Sequence, residues 1–128
     1  MQMNIFLIRP VRNVTPEQQT KIDKYVSDQI KSDNFVYDPL KHTDQTDPTG
    51  FDICSENTAA IEKCDEVHIF WDKNSTGTLF DLGVAFALSK RLQIINPENV
   101  EKTSKKSFAN MLLEWHRRQE LCYGGNEN

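Results

Sequence analysis

Apolar segments of two different periods alternate along this chain, and no other feature of the sequence restricts its fold as much. Asn4-Ile5-Phe6-Leu7-Ile8 is a short continuous apolar run ended by Pro10, the pattern of a strand buried on both faces. Thr15-Pro16-Glu17-Gln18 supplies an N-cap hydroxyl, a proline at the first helical position and a glutamine at the third. These predict a helix that Ile22, Tyr25, Val26 and Ile30 continue at helical spacing. Phe35-Val36-Tyr37 then reads as a second strand stopped by Asp38-Pro39, and the polar segment Lys41 to Gly50 as a loop that could serve as a lid.

The same alternation continues. Phe51, Cys54, Thr58 and Ile61 predict a helix from about Phe51 to Cys64. Glu66 to Trp71 reads as a third strand, with Val67, Ile69 and Trp71 on one face and Glu66, His68 and Phe70 on a second, partly wet face where His68 is structural. A third helix, apolar all round and so buried on more than one side, covers roughly Leu79 to Ser89. Leu92 to Ile95 gives a fourth strand, and Phe108, Met111, Leu112 and Trp115 mark an amphipathic last helix. Strands joined by single helices make right-handed crossovers. The expected fold class is therefore α/β: a single-domain flavodoxin- or Rossmann-like three-layer sandwich with a parallel sheet of four to five strands. It occupies residues 1–120, and residues 121–128 form a flexible tail.

Composition narrows the function classes. A chain of 128 residues fits one domain. Its formal charge of −4 argues against nucleic acid, and the basic residues of KTSKK and HRR read as solvated helix faces. Three cysteines without a CxxC pair speak against a disulfide framework or a zinc site, so a reduced, cytoplasmic chain without a metal or cofactor is expected. No apolar run is long enough for a membrane span.

One carboxylate stands out. Asp81 lies inside the apolar run of NSTGTLFDLGVAFAL, where an unpaired charge is costly unless it is used. Ligands of parallel sheets sit beyond the carboxyl ends of the strands, where the loops Arg9 to Val14, Asp38 to Gly50 and Asp72 to Thr78 converge. Arg12 offers a bidentate guanidinium, and Asn74 to Thr78 opens a helix whose N–H groups attract anions. Plainer roles stand beside these: Thr78 and Asp81 fit a capping box in its acidic variant, Asp72 can simply turn the chain, and Arg12 can be an exposed loop residue. Gly77 and Gly83 serve turns and close packing in many chains.

From Ile5 to about Ile95 the chain resembles the nucleoside 2-deoxyribosyltransferase superfamily, and within it the 2′-deoxynucleoside 5′-monophosphate N-glycosidases. Ile8-Arg9-Pro10-Val11-Arg12-Asn13 is similar to the family's first phosphate loop, with its arginine at Arg12 beside Asn13. Glu56-Asn57-Thr58-Ala59-Ala60-Ile61 resembles the helix that carries an acidic residue near the reacting sugar, a position held here by Asn57. Ser75-Thr76-Gly77-Thr78-Leu79-Phe80-Asp81-Leu82-Gly83-Val84-Ala85 resembles the motif Ser-x-Gly-x-x-x-Glu-Leu-Gly-x-Ala. The resemblance implies that Asp81 is the catalytic carboxylate and that Arg12, Asn13, Ser75 and Gly77 hold a 5′-phosphate. It further implies that Asn57, Asp72 and Tyr37 contact sugar or base, with Phe6 at the family's first-strand tyrosine. The ligand is then a small-molecule nucleoside or nucleotide and the assembly a homodimer through the third or last helix. Three departures accompany this: Asp81 is one methylene shorter than Glu, Asn57 cannot act as acid or base, and Phe6 lacks a hydroxyl. Two alternatives stay open, a nucleotide-binding or sensing module without turnover and a base-exchange transferase that needs no phosphate grip.

Overall fold

A computed structural model describes residues 2–123. Its strands β1 (Asn4–Ile8), β2 (Phe35–Tyr37), β3 (Glu66–Ile69) and β4 (Arg91–Ile94) form one parallel sheet in the order β2-β1-β3-β4. Five helices connect or follow them: α1 (Pro16–Lys31), α2 (Pro39–His42), α3 (Phe51–Lys63), α4 (Thr76–Ala87) and α5 (Phe108–Tyr123). A single 3₁₀ turn, Pro97–Asn99, lies between β4 and α5.

The two faces of the sheet are covered by different helices, which gives the three layers. Ile5, Leu7 and Val36 pack with Ile22 of α1 and with Phe70 on one face. Phe6, Ile8, Val67, Ile69 and Leu92 pack on the other with Ile61 of α3, Leu82 and Ala85 of α4 and Leu112 of α5. β1 is fully buried from Ile5 onward because it has a strand on each side and helices on both faces, as its unbroken apolar run demands. α1 begins where the sequence places it: Thr15 Oγ1 accepts from the Gln18 amide at 3.1 Å and Gln18 Oε1 accepts from the Thr15 amide at 3.0 Å.

Several boundaries differ from the sequence expectation, each for a local reason. Asp38 caps a one-turn helix at Pro39–His42, so the segment after β2 is not all loop. The rest of that segment is braced: Asp44 accepts from Thr46, Gln45 donates to the Pro39 carbonyl at 2.8 Å, and Asp47 takes the Asp52 amide at 2.7 Å. Gly50, at φ 85°, makes the left-handed entry to α3 that leaves this capping to Asp47. β3 stops at Ile69, two residues early, since Trp71 bonds both its amide and its carbonyl to the side chain of Asn96 at 2.7 and 2.9 Å. β4 begins and ends one residue earlier than expected. On the face of Glu66, His68 and Phe70, the last two are buried beneath α1 while Glu66 stays half-buried. There the Tyr25 hydroxyl meets His68 Nδ1, and His68 Nε2 meets Glu66 at 2.6 Å. Burial, and then the charge of Glu66, hold the Tyr25 phenol above its ordinary range.

At the far end, the Gln119 side chain of α5 accepts from the Leu92 amide at 2.6 Å and donates to the Leu92 carbonyl at 2.7 Å, on the side of β4 away from β3. Arg117 and Arg118 pair with Glu114 on the solvent side of α5, which accounts for the basic residues there as a solvated face. Lys102, Lys105 and Lys106 are exposed in the loop before α5 rather than on a helix. α5 carries residues 121–123 of the expected tail, and its remainder, 124–128, lies outside the described residues. No helix among the described residues is long and apolar enough to cross a membrane.

Candidate functional site

The loops that leave the carboxyl ends of β1, β2 and β3 come together at one edge of the sheet, and the side chains singled out in the sequence fall there into three groups. The first surrounds Asp81. This residue lies on α4 in its second turn, 6% exposed, and receives the Asn57 side-chain amide at 3.3 and 3.4 Å. α4 starts at Thr76 with Ser75 as its N-cap, three residues before the sequence expectation. A capping-box role for Asp81 therefore falls away: the amide that needs capping is that of Thr78, and Ser75 Oγ takes it at 3.3 Å. Burial pushes the Asp81 carboxyl up to about 7, opposed by the hydrogen bond from Asn57. No arginine or lysine among the described residues pairs with it.

Behind Asn57 the chain of hydrogen bonds continues. The Thr43 hydroxyl donates to Asn57 Oδ1 at 2.7 Å, and the Tyr37 hydroxyl lies 2.7 Å from Thr43 Oγ1. A threonine has one hydroxyl proton, and here it goes to Asn57, so Tyr37 donates to Thr43. Tyr37 in turn stacks on Phe6, with ring centroids 5.4 Å apart at 14°. Phe6 is completely buried, so it reaches a ligand only through Tyr37.

The second group is the N-terminus of α4. Ser75 uses its hydroxyl on Thr78 Oγ1 at 2.7 Å as well as on the Thr78 amide. The amides of Thr76 and Gly77 form no hydrogen bond with the described residues, leaving two donors and the helix dipole directed outward. A Cβ on Gly77 or Gly83 would meet nothing within 4 Å, so neither packing nor backbone strain requires glycine there. Asp72 turns the chain before this helix, accepting from the Asn74 amide at 3.0 Å and from Gln18 Nε2 at 3.4 Å.

The third group is the loop after β1. Arg12 and Asn13 are exposed, and Asn13 sits at φ 55° in the left-handed region that asparagine tolerates. Arg12 makes no hydrogen bond or ion pair among the described residues, so its exposed guanidinium is solvated. The arginine that organises this edge is Arg9. Its side chain is fully buried, contacts Asp38 Oδ2 at 3.4 Å, and donates to Gln19 at 2.8 Å and to the Pro10 carbonyl at 3.0 Å. Arg9, Asp38 and Thr43 were not singled out in the sequence. For Arg9 a signal existed, since an arginine directly after a buried strand and before a proline has nowhere to go but the sheet edge.

Two clefts open nearby. One of about 600 Å³ is lined by Gln18, Asp72, Asn74, Leu79, Asn96 and Phe108, among others. A second of about 570 Å³ lies between β2 and α3, lined by Tyr37, His42, Glu56, Ala59 and Lys63. Neither lining includes Asp81 or Asn57. No set of three or more His, Cys, Asp or Glu side chains among the described residues is placed to hold a metal ion.

No family model matches the chain, and no curated protein matches it. Among solved structures it is similar to one described as the CMP N-glycosidase BcmB of Clostridium botulinum, with a TM-score of 0.53 and 18% identity. The match covers 71% of this chain and 66% of that one. The likeness is one of fold, an α/β sandwich around a parallel sheet.

Proposed function

We propose that this chain is a nucleoside 2-deoxyribosyltransferase-like protein that hydrolyses or transfers the N-glycosidic bond of a nucleoside, a deoxynucleoside or its 5′-monophosphate. The observation that carries the proposal is Asp81: a buried carboxylate with no cation beside it among the described residues, displaced to about 7, on the turns that open α4 beyond the sheet. The fold shared with a CMP N-glycosidase supports the same reading. In the proposed reaction a carboxylate oxygen of Asp81 bonds to C1′ while the C1′–N bond breaks, its electron pair leaving with the base, which takes up a proton. Water, or an acceptor base in the transfer reaction, then displaces Asp81 from C1′. The outward-directed amides of Thr76 and Gly77 and the exposed charge of Arg12 hold the 5′-phosphate, so remote binding energy orients the anomeric carbon. Asn57 keeps the carboxylate aimed, and Asp72 and Tyr37 face sugar or base.

A panel of nucleosides and 5′-monophosphates, assayed for free base by chromatography, tests this directly. Within it, Arg12→Ala should weaken the monophosphate by on the order of 2 kcal/mol and leave the unphosphorylated nucleoside nearly unchanged. Equal loss for both would remove Arg12 from phosphate binding. The covered position of Asp81 favours one competing reading, a module that binds nucleotide without turnover. Calorimetric binding with no base released from any member of the panel would select it.

We also propose a homodimer. α4 and its C-cap leave Phe80, Phe86 and Leu88 exposed at 46%, 57% and 41%, an apolar surface that a second copy would cover through α4 or α5. Sedimentation at micromolar concentration should give the dimer mass, and a monomer would contradict this.

A further inference from the structure

The larger cleft stands beside Asp81 without containing it. Leu79 lines this cleft of about 600 Å³, whereas Asp81, two residues further along α4, turns to Asn57 of α3. Two successive steps along an α-helix turn about 200° around its axis, so the cleft and the carboxylate lie on opposite flanks of α4. The outward amides of Thr76 and Gly77 stand at the helix end between those flanks. In a sheet of order β2-β1-β3-β4 the crevice for a ligand lies where the chain reverses direction, between the loops after β1 and β3. The cleft opens there, walled by Thr15 and Gln18 at the start of α1, by Trp71 and Asn74 after β3, and by the segment after β4. That last wall carries groups the site around Asp81 does not use. Phe108 lines the cleft with its side chain 59% exposed, and Glu101 lines it with no hydrogen bond or ion pair among the described residues. The Asn110 side chain winds the loop before α5, donating to the carbonyls of Thr103 and Lys105 at 2.9 and 2.7 Å. A chain of net charge −4 thus gathers Lys73, Lys102, Lys105 and Lys106 around this cleft, none of them in an ion pair among the described residues. The other carboxylates of the lining are engaged: Glu17 pairs with Lys21 at 3.8 Å, and Asp72 accepts from Asn74 and Gln18.

We propose that this cleft is a second subsite, which takes the far half of a nucleoside 5′-diphosphate ester. The first phosphate of such a molecule sits at the N-terminus of α4, the second meets the lysines, and the sugar beyond it occupies the cleft. The inference rests on the function proposed above, which places a 5′-phosphate at that helix end and the reacting sugar on the flank of Asp81. A monophosphate bound in this way stops at the helix end and leaves the cleft empty. One more phosphate and sugar carry the molecule across to the opposite flank. Each added part has its complement there. The lysines meet the added negative charge. Glu101 accepts from sugar hydroxyls, as the carboxylates of nucleotide sites do. Phe108 offers a flat apolar face to the sugar or to a second base. A volume of about 600 Å³ is that of an ordinary small-molecule site. The extension adds no chemical step, since the bond that breaks is still C1′–N on the Asp81 side; it supplies binding energy remote from that bond.

Calorimetric titration of the full chain with two matched series of ligands tests the subsite: AMP, ADP and diadenosine diphosphate in one, UMP, UDP and UDP-glucose in the other. The last member of at least one series should bind about tenfold or more tightly than its monophosphate. Which of the two does so tells a second nucleoside from a plain sugar as the far group. Lys73→Ala and Phe108→Ala, both at exposed positions, should each remove most of that advantage and leave the affinity for the monophosphate at the parent's value. Equal affinity across both series, an advantage that survives both substitutions, a loss that falls equally on monophosphate and ester, or no binding by any of these ligands would overturn the proposal. Base release assayed on the same ligands separates this inference from the one it rests on. Release from the monophosphates with no preference for the esters keeps the proposed function and removes the subsite. A preference for the esters with no base released keeps the subsite and removes the function.

Discussion

Asp81→Asn should lower base release by about 10²–10³-fold or more while raising thermal stability, because the charge that serves the transition state is a burden to the fold. The two effects have separate origins. The amide keeps an acceptor for Asn57 Nδ2 and nearly the same volume, so binding and packing should persist. The variant loses the negative charge that meets a developing oxocarbenium ion and the oxygen that bonds to C1′.

The stability gain has a defined pH dependence. Unfolded, an aspartate ionises near 3.8, whereas Asp81 in the fold retains its proton to about 7. Below the lower value both states are neutral and the burial of Asp81 carries no penalty. Between the two values the native state holds a proton that the unfolded state has lost, so stability falls as pH rises. Above the upper value the cost is constant, on the order of 4 kcal/mol at about 1.4 kcal/mol per pH unit. The melting temperature of Asp81→Asn should therefore match the parent near pH 4, exceed it progressively to pH 7, and keep that margin beyond. Base release by the parent should rise over the same range, since only the ionised carboxylate attacks. A variant that releases base as fast as the parent would remove Asp81 from the chemistry, and a stability margin independent of pH would show that its charge carries no burial cost.

Arg9→Met should destabilise the fold by about 3–5 kcal/mol, because it leaves the Asp38 carboxylate buried without its cation. Both side chains are essentially inaccessible, at 0% and 4%. The methionine keeps much of the apolar stem, so the loss reports the charge and the bonds to Gln19 and Pro10 rather than a cavity. Against a total stability of about 5–15 kcal/mol, this is a large share of what holds the fold. The double variant Arg9→Met, Asp38→Asn should regain part of it, since the stranded charge is gone and an acceptor remains for the Leu40 amide. Urea unfolding that places Arg9→Met within about 1 kcal/mol of the parent would show the pair to be dispensable.

Local chemistry was legible in the sequence, and tertiary pairing was not. The start of α1 could be read because Thr15, Pro16 and Gln18 are neighbours that satisfy one another. The start of α4 was misplaced because Ser75 and Thr78 are both competent caps, and the choice between them depends on where Asp81 is needed. That Asp81 is buried followed from its apolar neighbours. That its partner is Asn57, 24 residues away, did not, and neither did the pairing of Arg9 with Asp38 across 29 residues. A one-turn helix such as α2 has too few residues to show a period, and Thr43 is an ordinary threonine until the fold sets it between Tyr37 and Asn57. Arg12 was the more conspicuous arginine because it stands in a loop beside a possible ligand. Arg9 was hidden by the strand it ends.

An open parallel sheet finishes in a strand whose outer peptide groups await a partner, and a second molecule can supply one by laying its own strand alongside. At Leu92 of β4 that vacancy is closed from within, for the amide of Gln119 satisfies both groups of Leu92 as a neighbouring backbone would. A side chain cannot be extended into a further strand, so it terminates the ladder without offering a new edge. Growth of the sheet by strand stacking, which has no natural limit, is thereby blocked at the Leu92 position of β4, while β2 forms the other edge.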